Sequence, residues 1–159
     1  MKKVLLFIMV ALIFSVTNSF GQTKIGEMKD GKYVITYDAG FIKDEAEKKL
    51  KEQGYSEKIT RLEIQKDKIE KTGKVYYILL AQNENQSIKI ASQLELMDSD
   101  FIQASPSIFY DSVTCNGCTR GCSPRRHADD GIIEWYCSNC SVGKGCKKSE
   151  TRSSISGKE

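Results

Sequence analysis

Residues 115–146 read CNGCTRGCSPRRHADDGIIEWYCSNCSVGKGC and contain every cysteine of the 159-residue chain. The six are Cys115, Cys118, Cys122, Cys137, Cys140 and Cys146, spaced C-x2-C-x3-C-x14-C-x2-C-x5-C. Such a cluster belongs to a small module held by cross-links or metal instead of a large apolar core. The segment's large apolar side chains are chiefly Ile132, Ile133, Trp135 and Tyr136, too few for it to fold alone.

The far end of the chain sets the chemistry of these thiols. Lys2 and Lys3 precede an unbroken apolar run from Val4 to Phe14, and Ser15 to Gly21 is small and polar. Charged, apolar, then small is the layout of a secretory signal peptide, expected over residues 1–21. The run is shorter than the roughly 18 to 20 residues of a membrane span, so no span is expected after cleavage. Cleavage after Gly21 would leave Gln22 first, a junction that resembles export sites of some Gram-negative bacteria. With no cysteine at the junction and no twin-arginine pair, the general secretory route fits best. The expected location is periplasmic or extracellular.

Three chemistries compete for the thiols. A disulfide framework suits an exported chain and an even count, and all six cysteines are its candidates. Six cysteines allow about 15 pairings. Bridges inside Cys115/Cys118 or Cys137/Cys140 would be tight, which favours pairing between the two clusters. Zinc is the alternative: Cys115, Cys118, Cys137 and Cys140 have four-cysteine ribbon spacing, and Trp135 to Cys140 resembles the W-x-C-x2-C start of several small zinc fingers. Oxidation outside the cell competes with that site, so the reading carries no cofactor, with zinc as its alternative. Thiol–disulfide redox exchange is the lesser alternative, because Thr119-Arg120-Gly121 and Ser141-Val142-Gly143 are loop sequences where a catalytic CxxC would open a helix. Cys115, Cys118 and Cys122 before Ser123-Pro124 only approximate a ferredoxin run.

No catalytic residue is assigned. His127, the single histidine, lies among Arg125, Arg126, Asp129 and Asp130 and reads as a surface residue. Asp129-Asp130 before Gly131 reads as a turn, not a carboxylate dyad. There is no phosphate-binding glycine loop. Removing Lys2 and Lys3 lowers the formal charge from +3 to +1, which gives no reason to expect nucleic acid. The doublets Arg125-Arg126 and Lys147-Lys148 make the tail weakly cationic, suited to anionic surface polymers or simply to solvation.

Upstream, Tyr33 to Tyr37 is β-branched and aromatic, a strand. Lys43 to Gln53 predicts a helix capped by Gly54, with Ile42, Ala46 and Leu50 as its buried stripe and Glu47–Lys51 as an exposed pair. Ile59 to Gln65 alternates, Lys66 to Gly73 reads as a charged turn, and Val75 to Ala81 is a continuous apolar core strand. Residues 88–104 fit both strand and helix spacing; strand is taken because it makes a hairpin with its predecessor. The helix ending in Gly54-Tyr55, then Tyr55 to Glu63, then Lys74 to Leu80, resembles the small helix-plus-sheet PepSY-type domains of exported bacterial proteins. The resemblance spans at most about half of the mature chain and implies a fold only. The family's closing acidic residue and glycine turn are absent after Ile90, and no functional residue is carried over.

The expected class is α+β: one helix packed on a small antiparallel sheet, followed by a loop-rich, cysteine-stapled C-terminal module. The expected divisions are a signal peptide (1–21), a flexible lead-in (22–32), an α+β domain (33–110), a cysteine-rich module (111–148) and a disordered tail (149–159). The expected function is that of an exported, non-enzymatic binding or structural protein, its ligand and partners unspecified.

Overall fold

The computed structural model describes residues 22–105, 107–129, 132–141 and 145–151. The expected signal peptide and residues 152–159 of the expected tail lie outside them. In chain order the elements are β1 (Thr23–Lys29), β2 (Lys32–Ile35), α1 (Ala39–Glu52), β3 (Arg61–Lys68), β4 (Val75–Gln82), β5 (Ile88–Met97) and β6 (Asp100–Gln103). They continue with β7 (Ser112–Asn116), β8 (Pro124–Asp129), β9 (Ile132–Cys137) and β10 (Lys147–Thr151).

The α+β expectation is overturned. The described chain is mostly β, 52% strand against 11% helix, and its antiparallel sheet nearly closes on itself. The hub is β5, whose ten residues are long enough to serve two partners on one edge. One edge pairs with β4 from Lys89 to Leu94; the other pairs first with β7 (Ile88–Ser92) and then with β6 (Glu95–Met97). From β6 the sheet runs through β1 to β2, and from β7 it runs to β10. Residues 22–32, expected as a lead-in, form β1 and the start of β2. Their polarity misleads: Ile25 alone enters the core, fully buried, while backbone pairing with β6 and β2 holds the rest. The C-terminal segment is likewise strand-rich, not loop-rich, and β7 and β10 carry the main sheet across the boundary expected at residue 111.

Both faces of the central strands are covered, which explains the unbroken apolar run in β4. Leu79 and Ala81 point to one core, shared with Ile42, Ala46 and Leu50 of α1 and with Phe101. Tyr76, Ile78 and Leu80 point to a second core with Val113, Cys115, Cys122 and Trp135. Full burial of each large apolar side chain contributes about 1.5–3 kcal/mol.

Helix α1 begins four residues before the expected Lys43, because Asp38 caps it: Oδ1 accepts the N–H of Gly40 (2.8 Å) and Phe41 (3.1 Å). It ends in a Schellman motif, with Tyr55 N–H donating to Leu50 O and Gly54 N–H to Lys51 O, and Gly54 at φ 85°. The stripe Ile42, Ala46 and Leu50 is fully buried. Glu47, however, pairs with Lys58 (2.6 Å), not with Lys51, and also accepts the Ile59 N–H (3.0 Å). The helix is thus tied through Glu47 to the segment that leads into β3. The charged turn expected at Lys66 to Gly73 starts later, since β3 runs to Lys68.

Candidate functional site: a polar cleft beside the disulfide hairpin

Strands alternate their side chains between faces, so register decides what the cysteine segment meets. On β3 the odd positions Arg61, Glu63, Gln65 and Asp67 share a face with Tyr76, Ile78, Leu80 and Gln82 of β4. On β5 that face presents Lys89 and Ala91, and on β7 it presents Val113 and Cys115. The β8–β9 hairpin lies over it. Cys115 is bonded to Cys137, Cys118 to Cys140 and Cys122 to Cys146. Every bridge joins the first trio of cysteines to the second, with Cα separations of 5.7, 5.8 and 5.3 Å, within the ordinary range.

Polar contacts complete the docking. Arg125 Nη1 donates to Asp67 Oδ2 (2.7 Å), Arg126 N–H donates to Tyr76 Oη (3.1 Å), and Lys148 Nζ donates to Trp135 O (2.9 Å). The Arg126 guanidinium lies 4.9 Å from the centre of the buried Trp135 ring, a cation–π contact. Burial pushes the Tyr76 hydroxyl up to about 12, partly offset by the Arg126 N–H, while the Asp67 carboxylate reinforces the rise.

The hairpin covers the outer face at Asp67 and Tyr76 but stops short of Arg61 and Glu63, which stay exposed. What it leaves open is a cleft of about 760 Å³. Its floor is Glu63, Leu80 and Gln82, and its far wall is the loop Thr119–Ser123. That loop is fixed on both sides: it is bracketed by the Cys118 and Cys122 bridges, Gly121 forms a β-bridge with Cys140, and Ser123 and Ser138 exchange two hydrogen bonds of 2.9 Å. Lys89 spans floor and wall. It is 4% exposed, and its Nζ donates to Gly121 O at 2.6 Å. Burial lowers the Lys89 pKa. Glu63 Oε1, from the one carboxylate lining the cleft among the described residues, accepts from Gln82 Nε2 (2.6 Å) and Gln65 Nε2 (2.9 Å).

All six disulfide candidates are bridged, each across the two clusters, whereas the zinc alternative is not assembled. The four cysteines of the zinc alternative each carry a disulfide, and the sulfurs brought within 4.8 Å of one another are those of Cys115, Cys137 and Cys146. Cys118 and Cys140 stand outside that trio. His127 is exposed, its ring edge-on to Tyr136 at 5.3 Å and away from the cleft. Sequence reasoning missed Lys89, Gln82 and Arg61. The available signal was Lys89 between Ile88 and Ile90: on a strand covered on both faces, its ammonium has to be buried. Among the described residues no helix is long and apolar enough to cross a membrane. No protein-family model matches the chain, and neither a curated protein nor a solved structure matches it.

Proposed function

We propose that this is an exported, non-enzymatic binding protein whose disulfide-held hairpin serves to wall a preformed ligand cleft. The observation that carries this reading is the fixing of Thr119–Ser123 by two bridges beside an open, polar space, with Lys89 buried at their junction. A site organised before its ligand arrives loses less entropy on binding. The volume lies within the roughly 300–1,000 Å³ of small-molecule sites. Glu63, held by two amides, is the single carboxylate among the described residues that line the cleft, so no carboxylate pair is formed there. Three disulfides suit an oxidising compartment, as does the signal layout of residues 1–21. Cell fractionation with intact-mass analysis tests the proposal. It predicts a chain that begins at Gln22, lies outside the cytoplasm and gains six hydrogens on reduction. A reduced, cytoplasmic chain that keeps residues 1–21 would overturn it.

A second reading rests on the sulfur trio. In a reduced chain, Cys115, Cys137 and Cys146 would offer three thiolates within 4.8 Å, a zinc-binding set. Stoichiometric zinc in the protein isolated under reducing conditions would support it, and metal-free protein with intact bridges would dismiss it.

A further inference from the structure

Lys89 is the one charged residue buried among the described residues. A lysine residue only 4% exposed normally faces a carboxylate, since an isolated buried charge is expensive. Here its hydrogen-bond partner among the described residues is one backbone carbonyl, Gly121 O. An ammonium has three N–H donors, so two remain, and Lys89 lines the cleft. Arg61 and Arg120 line the same cleft from the β3 side and the loop side. Against these three cations stands, among the described residues of the lining, one carboxylate, Glu63, already committed to Gln82 and Gln65. The rest of the lining is largely hydroxyl and amide: Thr60, Gln86, Thr119 and Ser123. Among the described residues no aromatic ring lines it, so a flat base or a stacked sugar face finds no platform there.

From this juxtaposition we infer that the cleft is an oxyanion site for a small, hydroxyl-rich molecule. The acid group lies on Lys89 between Arg61 and Arg120, and the hydroxyls meet the Gln and Thr side chains around it. Charge-assisted hydrogen bonds to a buried ammonium are the strong contacts, and exposed arginines add bidentate ones. The inference rests on the binding reading above and supplies its ligand class. A sugar acid and a sugar phosphate share the required chemistry, and the experiment separates them.

The test titrates the oxidised chain beginning at Gln22 with D-glucuronate, glucose 6-phosphate, inorganic phosphate and neutral D-glucose, following backbone amide NMR shifts. Saturable shifts are expected at Arg61–Gln65, Gln82–Lys89 and Thr119–Ser123 with the two sugar anions. Glucose should bind at least about tenfold more weakly, the scale of one lost charge-assisted contact. The tighter of the two anions identifies the acid group. Lys89→Met is the decisive variant: exchanging a buried charge for an apolar side chain of similar length should leave Tm unchanged or raised, while affinity for the preferred anion drops about tenfold or more. Arg120→Ala, on an exposed residue, should weaken binding with no change in Tm and stands in if Lys89→Met fails to fold. Equal binding of glucose and the anions, or full affinity in the variants, would overturn the anion assignment and leave the binding reading standing. Inorganic phosphate binding as well as glucose 6-phosphate would overturn the hydroxyl-rich part. No shift with any probe would overturn the whole ligand class, whereas the binding reading falls only with its own fractionation and mass test.

Discussion

Cys115, fully buried on β7, is bonded to Cys137 on β9 with their Cα atoms 5.7 Å apart, so a strand of the main sheet is riveted to the hairpin that covers it. The bridge closes a loop spanning 22 residues. Chain-entropy arguments give such a loop about 3 kcal/mol. Replacing both residues by Ala should lower the urea-unfolding free energy by about that amount. A loss below about 1 kcal/mol would mean that the hairpin docks without its rivet.

The three bridges should not reduce together. Cys115 and Cys122 are fully buried, whereas Cys118 and Cys140 are both partly exposed. Thiol attack requires access to sulfur. Limited reduction at neutral pH followed by alkylation mapping should therefore label Cys118 and Cys140 first. Early labelling of Cys115 would contradict the buried placement of β7.

Trp135 is the chain's single tryptophan and fills the second core beneath Arg126. Trp135→Ala should destabilise by about 3–5 kcal/mol, the range for a large aromatic removed from a packed site. Circular dichroism during urea unfolding measures it. In the native protein, Trp135 emission should be blue-shifted and should redden as the hairpin undocks.

Tyr76 links pH to the same interface. Its folded pKa, about 12, lies above the ordinary 10.0, chiefly through burial. The folded state therefore favours the neutral phenol. Its contribution to stability is complete below pH 10 and is lost as pH climbs through about 12. Tyr76→Phe should flatten that alkaline decline, and ultraviolet absorbance titration of the tyrosines should lose its highest-pH step. Glu47 acts at the other extreme. Desolvation pushes its pKa up, but the hydrogen bond from Lys58 and the Ile59 N–H outweigh it, and the net pKa falls below 4.5. Its contribution is present above that value and is lost as pH drops through the lowered one. Glu47→Gln should weaken the acid-side dependence.

Some of this architecture was written plainly in the chain. The stripe Ile42, Ala46, Leu50 has one reading, because apolar residues recurring every four positions in a Glu- and Lys-rich segment fit little else than a helix against a core. The run in β4 likewise had to be an interior strand. The strands that overturned the fold class were hidden for a shared reason. β10 reads KKSET and β1 reads TKIGEMK, with no apolar alternation to betray them. They are strands because β7 and β6 offer unpaired backbone edges, a tertiary cause that local pattern does not record. Closure depends on such a detail as well: a Cβ at Gly26 would strike the Val34 carbonyl oxygen and come within 2.7 Å of Ile64 Cδ1. The cysteine spacing pointed to a cross-linked segment. What the segment covers depended on register, since Lys89 enters the cleft only because it sits opposite Gln82 on β4 and Cys115 on β7.

The claim on which the rest depends is that the hairpin is fastened across the sheet face by bridges between the two cysteine trios. Proteolysis of the unreduced protein with mass mapping of the linked peptides tests it directly. The expected pairs are Cys115–Cys137, Cys118–Cys140 and Cys122–Cys146. Linked pairs within a trio, or alkylatable thiols at Cys115 and Cys137, would contradict it.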